Sequence, residues 1–87
     1  MNETFPKRVE LLPWREIDGR AVVIVPERGE VHELNQAATF IWKNANGSCS
    51  IKEMSARMSE AFEVNESGAL QDVCEFLDSA SKLGLLQ

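Results

Sequence analysis

One stretch near the N-terminus decides the fold: WREIDGRAVVIVPERGEVHEL, residues 14–34. Its Asp18-Gly19 dipeptide favours a two-residue hairpin turn, because both central residues tolerate positive φ. Pro26 ends the apolar run before it, since proline cannot donate to a sheet ladder, and Glu27-Arg28-Gly29 supplies a second turn. The stretch therefore predicts a three-stranded antiparallel meander with the apolar strand in the middle, over residues 14–17, 20–25 and 30–34.

Three helices are predicted after the strands. Asn35 is a good N-cap for the first, Ser50 and Glu53 form a capping box for the second, and the third begins at Glu66 or Ser67. Apolar residues recur at helical spacing in each helix, and Gly84 is a natural end for the third. The order of three strands and three helices predicts an α+β, winged-helix-like domain with its helices on one face of the sheet.

The domain organisation follows from length and pattern. With 87 residues the chain has room for one core, and its 44% hydrophobic content is typical of a globular protein. Residues 1–12 show no sustained period and contain Pro6. We therefore expect an N-terminal arm at 1–12, whose order the sequence leaves open, and one domain at 13–87.

Composition also limits the classes of function. The formal charge of −5 disfavours a nucleic-acid partner, because such proteins usually present a basic patch to phosphates. No segment approaches the roughly 18 apolar residues of a membrane span, and the N-terminus lacks the apolar run of a signal peptide. Cys49, Cys74 and a single histidine do not make a metal set. We expect a cytoplasmic protein with reduced thiols and without metal or cofactor.

Catalytic chemistry has little support in the sequence. His32 is the only histidine, and its neighbour Glu33 points to the opposite face of the predicted strand, so the two are poorly placed as an acid–base pair. Cys74 lies in an apolar stretch, where we expect a small core residue or a residue lining a groove, and Cys49 follows a turn, where we expect exposure. The chain is therefore predicted not to be an enzyme.

Several stretches resemble the PqqD family of precursor-peptide recognition elements. Their order and spacing carry the resemblance, which covers roughly residues 14 to 86, and the stretches are Pro26-Glu27-Arg28-Gly29, Leu34–Trp42, Ser50–Met54, Asp72–Leu77 and Leu83–Leu86. The resemblance implies a module that binds the leader segment of a ribosomally made peptide and presents it to a modifying enzyme, usually a radical SAM protein. The chain departs from many relatives in the polar third strand, with His32 and two glutamates, so its client leader is expected to differ in charge.

The resemblance also implies the binding site. The leader adds as a strand beside the third strand, which we assign to Glu30, Val31, His32, Glu33 and Leu34, and its side chains enter a groove beside the third helix, whose wall we assign to Leu70, Val73, Cys74 and Leu77. Connectivity supports an open edge independently of the family, because the third strand of a meander leaves unpaired backbone groups that can template another strand.

Two other functions stay open from the sequence. Three helices and a β-ribbon also suit a winged-helix nucleic-acid binder, although the third helix offers acids and only Lys82 near its end. A permanent structural subunit of an enzyme complex is the other, and it predicts co-purification without affinity for a free peptide. The oligomeric state is open, since an uncovered edge can pair with its own copy.

Overall fold

A computed structural model describes residues 4–87, and residues 1–3 of the expected arm lie outside the described residues. The chain forms β1 (Trp14–Ile17), β2 (Arg20–Val25), a 3-10 turn (Pro26–Arg28), β3 (Glu30–Glu33), α1 (Gln36–Asn44), α2 (Ile51–Phe62) and α3 (Glu66–Lys82). The sheet is antiparallel with the order β1-β2-β3, which confirms the predicted α+β meander followed by three helices. Among the described residues, no helix is both long and apolar enough to cross a membrane.

Local sequence chemistry accounts for the turns and helix starts. Asp18 and Gly19 both have positive φ, at 53° and 79°, as the hairpin turn requires. Asn35 accepts a hydrogen bond from the Ala38 N–H, and the Ser50–Glu53 capping box has both of its reciprocal hydrogen bonds. These contacts fix where each helix begins and therefore which faces meet in the core.

The core has two adjoining parts. One lies between the sheet and the helices and includes Val23, Trp42 and Leu85; the other lies among the helices and includes Met54 and Met58. Trp42, Met54 and Met58 are fully buried.

The two cysteines lie in environments that differ from the expected ones. Cys49, expected to be exposed, is buried in the helical part of the core, and Cys74, expected to be a core residue or a groove residue, is exposed on α3. Cys49 immediately precedes the Ser50 N-cap and shares its cluster with Met54, an arrangement in which the residues flanking a cap pack together as a hydrophobic staple. Cys49 is therefore buried although it follows a turn.

The described part of the N-terminal arm crosses the α1–α2 loop and the C-terminal segment. The Arg8 N–H donates to Ala45 O at 2.9 Å, and the Val9 N–H donates to Leu85 O at 2.9 Å. The Arg8 guanidinium carbon lies 5.5 Å from the Trp14 ring centroid, and its Nη1 donates to Trp42 O at 3.0 Å. Residues 6–9 are therefore hydrogen-bonded to the helical side of the domain rather than to the sheet.

Candidate functional site

The β3 strand is an edge of the sheet, because β2 lies on one side of it and no described strand lies on the other. The Leu34 N–H donates to Ala21 O at 2.8 Å, and His32 stands opposite Val23 in the same register. Hydrogen-bonded and non-hydrogen-bonded pairs alternate along an antiparallel ladder. Leu34 and His32 therefore direct their backbone groups to β2, whereas Val31 and Glu33 direct theirs to the open edge.

Side chains of β3 alternate between two faces of the sheet. Leu34 is buried against the helices, and Glu30 and His32 are half-buried on that same face. Val31 and Glu33 point to the opposite face, where Val31 is 64% exposed. The predicted strand residues thus share one edge, but they divide between its two faces.

An apolar groove of about 350 Å³ lies between β3 and the C-terminal half of α3. Its buried lining comes from Leu34, Ala80 and Leu85, and the side facing β3 is formed by Phe76 and Ser79 of α3 and by Leu83, which caps that helix. A strand placed along β3 would direct every second side chain towards this groove. The site therefore combines free backbone groups with an adjacent apolar surface.

The four α3 residues predicted as the groove wall do not line the groove beside β3. Val73 and Leu77 are buried among the helices, Leu70 and Cys74 are exposed, and none of these four lines the groove among the described residues. Successive residues of a helix are about 100° apart, so the apolar stripe centred on Val73 has two flanks. The sequence identifies the stripe correctly, but it is the opposite flank that faces β3.

One signal in the sequence indicates which flank of α3 faces β3. Gly84 has a φ of 77°, and it turns the chain so that Leu85 packs into the part of the core under the sheet. The last turns of α3 must therefore lie beside the sheet. Residues spaced three and four apart in those turns, Phe76, Ser79, Ala80 and Leu83, are the ones that line the groove.

A charged cluster links the β2–β3 turn to Leu83, which lines the groove. Arg28 Nε lies 3.2 Å from Glu30 Oε1, and Arg28 Nη2 donates to the carbonyl oxygen of Leu83 at the end of α3. The hydrogen bond from His32, whose Nε2 lies 3.0 Å from the same Glu30 oxygen, and that from Arg28 lower the pKa of Glu30. No local sequence pattern predicts this link, in which Arg28 connects the β2–β3 turn to the end of α3.

His32 and Glu33, which are neighbours on β3, have different partners. His32 contacts Glu30, and Glu33 instead pairs with Arg20, with 3.5 Å between Arg20 Nη1 and Glu33 Oε1, so the two neighbours do not form an acid–base pair. Backbone donors beside an apolar groove are suited to strand addition, in which backbone hydrogen bonds provide affinity and side-chain pockets provide specificity. The fold and the groove define a small α+β domain in which an apolar groove lies beside one of the two sheet edges.

Comparison with known proteins identifies the family. The sequence model of the family described as coenzyme PQQ synthesis protein D (PqqD) matches residues 14–86, and the chain belongs to the PqqD family, as its motifs predict. The solved structure of TbiB1 in complex with the TbiA(beta) leader peptide has a similar fold, with a TM-score of 0.83 and 18% sequence identity over 93% of this chain and 94% of that chain. A comparison with curated proteins found no match.

Proposed function

We propose that this chain is a non-catalytic, cytoplasmic adaptor that binds the leader segment of a ribosomally synthesised precursor peptide and presents it to a modifying enzyme of the radical SAM type. The observation that carries the proposal is the open edge of β3 beside the apolar groove. Membership of the PqqD family supports it, as does the likeness to a protein solved with a leader peptide.

Backbone pairing supplies the sequence-tolerant part of the binding. The N–H and C=O groups of Val31 and Glu33 face the open edge, so an added strand finds two donors and two acceptors at the spacing of a sheet ladder. Each such hydrogen bond contributes only about 0.5–1.5 kcal/mol net, because the free peptide is hydrogen-bonded to water. Backbone pairing therefore needs a second source of affinity.

Apolar side chains of the leader supply that second part. Alternate residues of the added strand enter the groove and cover the partly exposed side chains of Phe76 and Leu83, which removes apolar surface from water. The described structure thus favours a leader with aliphatic or aromatic residues at every second position. The chain's charge of −5 favours a leader with basic residues elsewhere.

The test is an NMR titration of the isotope-labelled chain with synthetic leader peptides of the precursors encoded near its gene. Saturable shifts are expected along Glu30–Leu34 and at Phe76, Ser79, Ala80 and Leu83, since the groove is lined by these four helix-side residues and by residues 31–34 of the edge. Saturable shifts confined to another surface would show that the leader binds there and not at the β3 edge. Absence of shifts with every leader would overturn the adaptor function and favour a permanent structural subunit.

A further inference from the structure

The face of the sheet that points away from the helices is apolar and uncovered. Its centre consists of Ile17, Val22, Ile24 and Val31, which we call the outer patch. Ile17 is 53% exposed and Ile24 is 40% exposed, and Ile24 stands directly opposite Val31. A strand that is apolar on both faces, as β2 is, usually has both faces covered by protein.

Charged residues around the outer patch indicate what covers it. Arg15 and Arg20 flank it on β1 and β2, and Glu33 flanks it on β3, so this face carries a local charge of +1 in a chain of charge −5. Glu33 pairs with Arg20, and Arg15 makes no ion pair with a described carboxylate. Complementarity therefore favours an apolar partner surface that has an acidic side chain at its rim.

We propose that the outer patch is the docking surface for the modifying enzyme, which meets it with an apolar surface and a carboxylate opposite Arg15. The proposal rests on the adaptor function above and adds to it the surface that the enzyme recognises. A second copy of the chain is the competing occupant, because a twofold axis along β2 would place Arg15 of one copy opposite Glu33 of the other. We assign the patch to the enzyme because it adjoins the β3 edge to which the leader is proposed to add.

The position of the outer patch explains how an adaptor could present its client. A leader strand paired with β3 extends the sheet, and those of its side chains that do not enter the groove lie on the same face as Val31. An enzyme docked on the outer patch therefore contacts the chain and the leader together. Binding of the leader then raises the affinity for the enzyme, and the enzyme raises the affinity for the leader by the same factor.

The experiment measures the affinity of the chain for two probes. These are the purified radical SAM enzyme encoded beside its gene and the synthetic leader of the same precursor. Ile24→Glu places a charge in the outer patch and is expected to weaken enzyme binding at least about tenfold while leader binding stays within about twofold, because Ile24 does not line the groove. Leu11→Glu is the matched control, since Leu11 is 93% exposed outside the sheet, and it should leave both affinities unchanged.

A second pair of variants tests the charge. Arg15→Glu should weaken enzyme binding by roughly three- to tenfold and Arg15→Lys by less than about twofold, since only the first reverses the charge. If Ile24→Glu and Arg15→Glu bind the enzyme as tightly as the parent chain while the leader still binds, the outer patch is not the docking surface and the adaptor function stands. Failure of the parent chain to bind the leader would instead remove the adaptor function, and this inference with it. A parent dimer that Ile24→Glu dissociates in sedimentation would assign the patch to a second copy and overturn the proposal.

Discussion

The two outer strands of the sheet have four residues each and pair with the same central strand, but their free edges have different surroundings. A hollow of about 350 Å³ lies on the side of β1, similar in size to the groove beside β3. Its lining includes the ion pair of Glu16 and Lys43, with 2.9 Å between Glu16 Oε1 and Lys43 Nζ, together with Gln36 and Asn44. The groove beside β3 is instead lined largely by apolar side chains, including Leu34, Phe76 and Leu85.

The hollow beside β1 also has Phe40 and Phe62 in its lining, so the ion pair of Glu16 and Lys43, rather than size, is what distinguishes the two edges. An apolar side chain entering the hollow beside β1 would take an ion pair out of water, whereas one entering the groove beside β3 would cover apolar surface. We therefore expect strand addition at β3 and not at β1. The predictions below test this difference, from the largest expected effect to the smallest.

Proline at one position of each edge gives the most direct test. Val31→Pro removes an N–H that faces the open edge of β3, and the ring also obstructs an added strand, so leader affinity should fall by at least about thirtyfold. By the register of the β1–β2 ladder the Glu16 N–H faces the free edge of β1, so Glu16→Pro is the matched change and should alter affinity by less than about twofold. Isothermal titration with the leader measures both.

Val31→Ala and Glu16→Ala keep the backbone N–H groups, so they measure the contribution of each side chain to leader affinity separately from that of the N–H. Equal loss of affinity in Val31→Pro and Val31→Ala would mean that the Val31 side chain, rather than the strand edge, makes the contact. A large loss in Glu16→Pro alone would place the leader on β1.

Filling the groove should have the next largest effect. Ser79→Trp puts a large side chain at an exposed position of the groove wall, and we expect leader affinity to fall about tenfold. Cys74→Trp makes a similar change at an exposed position of α3 outside the groove, and it should have little effect. If fluorescence titration shows the reverse order, the leader uses the flank of α3 that the sequence alone suggested.

A smaller effect is expected from the link between the β2–β3 turn and α3. Arg28→Gln weakens the contacts to Leu83 O and Glu30, so the end of the groove is held less firmly and leader affinity should fall by about two- to fivefold. Lys43→Gln removes the ion pair at the other edge and should leave leader affinity unchanged. Equal losses in both variants would show that they act through general destabilisation, which thermal unfolding would detect.

The smallest predicted effect concerns pH. Hydrogen bonds from His32 and Arg28 hold the pKa of Glu30 below its usual 4.5 in the folded chain. A carboxyl group with a lowered pKa stabilises the fold above its unfolded pKa, and that stability is lost as the pH falls through the folded value. Between about pH 5 and pH 3.5 the parent chain should therefore lose slightly more thermal stability than Glu30→Gln. Identical pH profiles would show that the ion pairs of Glu30 contribute nothing measurable.

Prediction from the sequence succeeds where the determining contacts are local. The Asp18-Gly19 turn, the Asn35 cap and the Ser50–Glu53 capping box each depend on residues at most three positions apart, and the structure has all of them. The open edge at β3 follows from strand order, which connectivity limits strongly. These features define the fold and half of the candidate site.

The other half depends on tertiary contacts that no local pattern contains. Helical periodicity shows that α3 has an apolar stripe, but which flank faces β3 depends on how α3 packs against the sheet and on the return of Leu85. The contact of Arg28 with Leu83 joins residues 55 positions apart. Val73 lies at the centre of the buried stripe, and Cys74, one residue further along the helix, is exposed.

The two cysteines also make the unmodified chain suitable for selective labelling. Burial raises the pKa of the Cys49 thiol, so little of it is present as the reactive thiolate near neutral pH, whereas Cys74 is exposed. A maleimide dye should therefore attach first to Cys74, which lies on α3 but outside the groove. The dye would sit on the helix that forms the groove wall, so its fluorescence could report client binding without any introduced residue.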